Sequence, residues 1–365
     1  MSSTLGTLFR VTSFGESHGP CIGVVVDGCP AGLRLDAGDV QRDLARRSAA
    51  NRPGATPRTE PDVVRFLSGV REGLTTGAPI CMVVDNTNTD SSAYGEYVQR
   101  PRPGHADYTA GIKYGGFNDP LGGGRFSGRI TAGFVMAGAV ARLALRQAGI
   151  EVDAHTVAIG GFEAPPCAPE LVAERSRDNS LSCCDQASAE VMRQAIEAAR
   201  SQGDSVGGIV ECVALGLPVG LGEPVFAGVE SEVARAVFSI PAVKGIEFGG
   251  GFALSRRRGS EANDPFAVVD GKVVTTKNDA GGVLGGITTG MPLVLRVAFK
   301  PTPSIVIGQR TVDLTSNTEV ELAVKGRHDA CIVPRAVVVV EAMVAAVLCD
   351  LGLQNGFIPR VMSCH

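Results

Sequence analysis

Three histidines in this chain, His18, His105 and His328, lie in glycine-flanked, loop-like stretches beside charged or hydroxyl residues. Imidazole is the side chain best suited to moving protons near neutral pH, and three of the five histidines share this setting. Asp329 follows His328 directly and stands between Arg327 and Arg335, which makes it a candidate base; a surface ion pair with a neighbouring arginine is the plainer reading. Gly122, Gly123 and Gly124 run into Arg125, Ser127 and Arg129 ahead of a helical pattern. Such a run lets backbone amides and a helix N-terminus approach an anion, although a flexible turn would read the same. The positive charge is also skewed by type, with 28 Arg against 6 Lys. Arginine grips carboxylates and phosphates through two parallel hydrogen bonds, while a GC-rich genome explains the scattered ones. These residues describe acid–base chemistry on a small polyanion. No spacing of histidine and cysteine suits a metal, and none is expected.

The elements that must carry these groups can be read from periodicity. Residues 8–13 and 21–26 read as strands joined by a compact turn over 14–20, which places His18 at a hairpin tip. Helical patterns cover residues 39–47, 131–147, 187–202, 231–238 and 334–351, and Gly149 and Gly203 sit where C-terminal caps belong. Further strand-like runs cover 80–84, 209–214 and 293–299. Without a regular β-α-β alternation, the fold class predicted is α+β. Residues 26–33 resemble residues 215–221, and the shared Pro-x-Gly-Leu hints at two related halves. Long polar segments over 48–62, 86–124 and 249–286 read as functional loops, and 164–185 as a surface excursion.

Composition narrows the class. At 365 residues and 44% apolar content the chain can bury a large core without metals or disulfides. A net charge of −4 argues against a general nucleic-acid binder. The apolar run 336–348 is broken by Glu341 and falls short of the ~20 residues of a membrane span. A buried helix is expected there, and no membrane partner. Residues 1–10 lack the pattern of a secretory leader, so the expected compartment is the cytoplasm. The ten cysteines include no Cys-x-x-Cys pair and read as reduced, small apolar residues.

Three segments together resemble the chorismate synthase family: FGESHGP at 14–20, RPGHADY at 102–108 with residues 122–129, and KGRHDACIVPRAVVVVEAM at 325–343. Shorter motifs fall in the family's order between them, including GLGEPVF at 220–226, AVKG at 242–245, GGVLGG at 281–286 and KPTPS at 300–304. The resemblance covers nearly the whole chain. It implies one domain over residues 1–365, a β-α-β sandwich assembled as a homotetramer, and a carbon–oxygen lyase of the shikimate pathway to aromatic amino acids. The implied reaction converts 5-enolpyruvylshikimate 3-phosphate to chorismate and phosphate by a redox-neutral 1,4-anti elimination with reduced FMN. NADPH is the implied reductant where such a chain reduces its own flavin, and FAD and NADP belong to the same cofactor chemistry.

By position, the resemblance implies that His18 protonates the departing phosphate with help from Ser17, and that His105 faces the flavin and holds its reduced form. Asp329, with Ser127, would relay a proton from flavin N5. FMN contacts would come from Arg125, Phe126, Ser127, Ala242, Gly285, Lys300, Pro301, Thr302, Pro303, Ser304 and Arg327, and Arg47, Arg129, Arg327 and Arg335 would grip substrate or nicotinamide anions. The chain departs from the family at Phe126, where a serine is usual, and at Pro241, where an asparagine is usual. It departs again at Ser48 and Pro53, where the family carries arginines. Two other functions fit the residues less well. A net flavin oxidoreductase lacks its usual Gly-x-Gly-x-x-Gly fingerprint here, and a binding protein would not need His18, His105 and Asp329 together.

Overall fold

The computed structural model describes residues 3–48, 54–55, 60–92, 94–324 and 328–362. β-branched residues dominate the N-terminal hairpin of β1 (Arg10–Gly15) and β2 (Cys21–Asp27), which pair antiparallel as the sequence predicts. β3 (Ile80–Asp85) pairs with the other edge of β2, and Thr4–Leu5 and Arg65–Ser68 complete a five-stranded sheet. The second five-stranded sheet holds β4 (Glu151–Ile159), β5 (Gly208–Leu215), β6 (Val243–Phe248) and β7 (Leu293–Phe299) in the order β6-β7-β5-β4, with Phe162–Glu163 at its edge. Seven helices accompany them among the described residues: α1 (Ala37–Arg47), α2 (Tyr94–Gln99), α3 (Asp107–Lys113), α4 (Thr131–Gln147), α5 (Gln186–Ser201), α6 (Val229–Val237) and α7 (Val333–Gln354), besides short helical turns.

Helices α4 and α7 form the middle layer. α4 packs on the first sheet and α7 on the second, and they pack on each other. The result is the β-α-β sandwich expected. Close approach of the two helices depends on Gly138, where a Cβ would fall 2.2 Å from the Cβ of Ala342. α7, and α4 together with the turn that leads into it from Gly128, are apolar and long enough to pass for membrane spans, yet nearly all of α7 is buried in the core. Within that core Glu341 accepts two hydrogen bonds of 2.6 Å from Arg46, one of 2.9 Å from Arg142 and one of 3.0 Å from the amide of Ala154. One carboxylate therefore ties α1, α4 and α7 to β4.

The repeated turn is structural. Thr75 Oγ1 accepts from the Leu33 amide at 2.9 Å and donates to the Pro30 carbonyl at 2.6 Å. Thr288 Oγ1 accepts from the Leu221 amide at 2.9 Å and donates to the Pro218 carbonyl at 2.6 Å. The same bonds in the same order recur at both turns.

Three expectations need correction. The segment 86–124 is not one loop, because it folds into α2, α3 and a short 3-10 run over Leu121–Phe126. The segment 249–286 contains the hairpin Phe266–Val269 with Lys272–Thr275. Both hold elements too short to show a period. The stretch 164–185 is not a surface excursion: Val172, Leu181 and Cys183 are buried, and Thr156 Oγ1 donates to the Leu181 carbonyl at 2.7 Å. It covers β4.

Candidate active site

The C-terminal end of α1, the N-terminal end of α4 and the start of α7 surround a cavity of about 220 Å³ lined by Arg47, Asp62, Ser127, Arg129, Asp329 and Arg335, among others. Arg47 is nearly inaccessible and donates to Thr131 Oγ1 at 2.9 Å, Asp62 Oδ2 at 3.2 Å and the Gly128 carbonyl at 3.2 Å. Arg129 donates from Nη1 to Asp62 Oδ1, and from Nε to Asn86 Oδ1 at 2.9 Å. Arg335 donates to both oxygens of Asp329, at 2.8 and 3.0 Å, and to the Arg47 carbonyl at 3.1 Å. Burial, with Arg335 and Arg129 close by, pushes the Arg47 guanidinium down to about 9 despite Asp62 and Asp329. The enclosure therefore favours an added negative charge, and guanidinium groups already fixed by protein acceptors lose little freedom on receiving one.

The tip of the β1–β2 hairpin lies beside this cavity. Ser17 is buried, and its amide donates to the Gly124 carbonyl at 3.2 Å. His18 Nδ1 lies 2.8 Å from Ser91 Oγ, and its ring meets the Tyr94 ring edge-on at 5.2 Å. Glycine at 122 is required by contact as well as by its φ of 62°, because a Cβ there would fall 2.3 Å from His18 Cδ2 and 2.8 Å from Ser17 Oγ. The glycine run thus closes over His18 and Ser17. Asn86, at the end of β3, holds the turn by donating from Nδ2 to the carbonyls of Glu16 at 3.0 Å and Gly19 at 2.7 Å.

His105 forms a third group. Its Nε2 lies 2.8 Å from Ser304 Oγ, while Lys300 Nζ donates to the Gly104 carbonyl at 2.8 Å and the Lys300 amide donates to the Ala242 carbonyl at 3.0 Å. Burial, then the nearby Arg102 cation, with His328 and Lys300 adding, hold the imidazole down to about 3 against the pull of Asp107. Arg102 is itself fixed by a two-bond pair to Asp107 at 2.8 and 2.8 Å and lies over the rings of Tyr97, 4.7 Å away, and Tyr94, 5.3 Å away. His328 and its neighbour Asp329 connect this group to the cavity.

The structure therefore brings Arg47, Arg129, Arg335, Asp329 and Ser127 to one cavity wall, with Ser17 and His18 reached through Asn86. Ala242, Lys300 and Ser304 gather at His105, and Pro303 packs against Gly104. Pro301 and Thr302 lie between Lys300 and Pro303 in the chain, and the Thr302 carbonyl accepts from Ser205 Oγ at 2.6 Å. Three expected residues point elsewhere. Arg125 donates to Ser3 Oγ at 2.9 Å, Phe126 tilts against Tyr114 at 6.2 Å, and the hairpin carrying Gly285 is fastened to Gly228 and Val229. Arg327 and Pro53 lie outside the described residues, Ser48 lines the cavity, and Pro241 lines it too. Sequence reasoning missed Asp62, Asn86, Ser91 and Arg102. Arg102 stood inside a quoted motif, and the others carry no local signal.

The chorismate synthase family model matches residues 9–353. The chain belongs to the chorismate synthase family. It is 53% identical over 362 residues to a chorismate synthase of Dehalococcoides mccartyi, covering 99% of this chain and 100% of the relative. It is 54% identical over 345 residues to one from Korarchaeum cryptofilum, with 94% and 96% covered. A crystal structure of a chorismate synthase superposes with a TM-score of 0.75 at 31% identity, over 96% of this chain and 93% of that one. The family's lyase chemistry is thus placed on a fold that puts arginines, a carboxylate and two histidines within one connected region.

Proposed function

We propose that this chain removes phosphate from 5-enolpyruvylshikimate 3-phosphate to form chorismate. The observation that carries the reading is the arginine-lined cavity, with the His18 turn clamped to Arg129 on one side and Asp329 on the other. The C3–O bond breaks with its electron pair going to phosphate, a hydrogen leaves C6, and a new double bond forms, so no net oxidation occurs. The residues around His105 would hold reduced FMN, which would supply transient electron donation to the breaking bond. Arg47, Arg129 and Arg335 orient the anions. His18, with Ser17 beside it, protonates the departing phosphate, and Asp329, which lines the same cavity as Ser127, carries away the proton derived from C6.

The residues around His105 suit an anionic cofactor such as FMN. Lys300 has its ammonium pushed down by burial and by Lys244, so two cations stand together, and the buried hydroxyl of Thr302 has no hydrogen-bond partner among the described residues. Ala242, Lys300, Pro301, Thr302, Pro303 and Ser304 would hold the cofactor, with Ser127 and Arg327 completing the contacts, and His105 would donate a neutral N–H. The homotetramer in the cytoplasm belongs to the same proposal. Its support is the exposure of Phe226 at 91%, Val225 at 83% and Phe252 at 79%.

The test is release of phosphate and chorismate by purified protein supplied with chemically reduced FMN, with and without NADPH. Folded, FMN-binding protein that releases neither product overturns the reading.

A further inference from the structure

Asn86 makes four hydrogen bonds, and they go to two different parts of the site. Its amide N–H donates to the Pro20 carbonyl at 3.0 Å, and its Nδ2 donates to Glu16 and Gly19, the carbonyls that bracket Ser17 and His18. Its Oδ1 accepts from Arg129 Nε at 2.9 Å. The amide orientation is fixed by this network, because exchanging Oδ1 and Nδ2 would set an N–H against the guanidinium and an oxygen against two carbonyls. An asparagine that only closed a turn would need the first three bonds. The fourth reaches across to the guanidinium at the cavity wall, whose Nη1 and Nη2 also donate once each, to Asp62 and to the Asp85 carbonyl.

We propose that Asn86 is a positioning residue that sets the distance and angle between the His18 turn and the anion held at Arg129. The proposal rests on the functional reading above and extends it. The strand order provides the means: β2 and β3 are paired to their ends, with Cys21 opposite Asp85, so the residue after β3 arrives beside the turn before β2. Arg129, at the start of α4, comes from the middle layer. One side chain therefore links the hairpin tip that carries His18 to the helix end that carries the cation. Because Arg129 keeps Asp62 and Asp85, loss of Asn86 should free the His18 turn while leaving the anion seat intact.

The experiment compares the parent with Asn86→Leu, similar in branched outline but without polar ends, with His18→Ala, and with the double variant. Thermal unfolding and inorganic phosphate affinity by calorimetry accompany turnover. Asn86→Leu should lower kcat by ~10–100-fold, the scale of a displaced reacting group, with phosphate affinity within about 3-fold of the parent. Since the two residues act as one unit, the double variant should be no slower than His18→Ala, within about 3-fold. A merely structural asparagine predicts a lower unfolding temperature with an unchanged kcat per folded molecule, and that result overturns the proposal. Losses that multiply in the double variant overturn it as well. If Asn86→Leu does not fold, the smaller Asn86→Ser reads the same cycle. An inactive parent overturns the functional reading itself and this proposal with it, whereas an active parent with an indifferent Asn86 overturns the proposal alone.

Discussion

Arg47 and Arg129 share one counter-ion. The two oxygens of Asp62 are divided between them, at 3.2 Å from Arg47 Nη1 and in direct contact with Arg129 Nη1, and Asp62 holds a left-handed φ of 45° to do so. Asp62→Asn leaves two buried guanidiniums without their common charge. Breaking one side of such a buried pair costs roughly 3–5 kcal/mol, so urea unfolding should show a loss of that order. An anion can take the place of the missing carboxylate. Millimolar inorganic phosphate should therefore raise the unfolding temperature of Asp62→Asn by more than it raises that of the parent. Equal responses of the two proteins would show that Asp62 does not occupy the anion seat's electrostatic position.

His105 gives a second expectation, in pH. Its folded value of about 3 lies below the ~6.5 of an exposed imidazole, so the folded state binds this proton less readily than the unfolded one. Above about pH 6.5 the residue has no effect on stability. Between there and about 3 the folded state loses stability as pH falls. His105→Gln should flatten that part of the acid limb. In proton NMR of the free protein, the His105 C2–H signal, assigned by its loss in the variant, should stay fixed from pH 8 to 5. A signal moving with a midpoint near 6.5 would mean that burial and Arg102 do not hold the imidazole neutral.

What the sequence makes legible follows from how locally each feature is encoded. β7 (Leu293–Phe299) alternates buried and half-buried residues, and α7 is apolar all round, so both read correctly. β4 (Glu151–Ile159) does not alternate, because α7 covers one face and the 164–185 segment helps to cover the other. Its polar His155 is buried and bonded across the strands to Glu211 at 3.0 Å, which Arg296 also reaches at 2.8 Å. β6 is interrupted by Gly245 at a register shift. In the site, His18, His105 and Asp329 stand in motifs, whereas Asp62 and Asn86 reach Arg129 across 67 and 43 residues of chain. No window of sequence contains such a pair.

The Glu341 cluster yields a third expectation. Burial alone would raise this carboxyl, but Arg46 and Arg142 outweigh burial and hold it below the usual carboxylate range. A depressed folded value contributes stability that is full above the unfolded pKa of ~4.3 and disappears as pH falls through the folded value. Glu341→Gln should therefore lower stability at pH 7 by roughly 3–5 kcal/mol and weaken the acid dependence of unfolding. Because Glu341 lies in the core and outside the cavity wall, kcat per folded molecule should stay within about 2-fold of the parent. A large loss of kcat in fully folded protein would show that the cluster also shapes the site.

The last expectation separates an elimination from net hydride transfer. Under anaerobic conditions, with FMN reduced chemically and no nicotinamide present, one equivalent of reduced flavin should support many turnovers of 5-enolpyruvylshikimate 3-phosphate. A net oxidoreductase would consume its reduced flavin, so product would stop at one equivalent while oxidised flavin accumulated in step. In the elimination the electron pair of the broken C–O bond leaves with phosphate, and the flavin spectrum stays reduced throughout. The protein groups that this demands are a proton donor beside the departing oxygen and an acceptor for the proton from C6, the roles proposed above for His18 and Asp329. Replacing Asp329 with Asn should therefore slow turnover by ~10²-fold or more without changing the stoichiometry of flavin to product. Product capped at one equivalent per flavin would overturn the redox-neutral reaction, whatever the effect of the substitution.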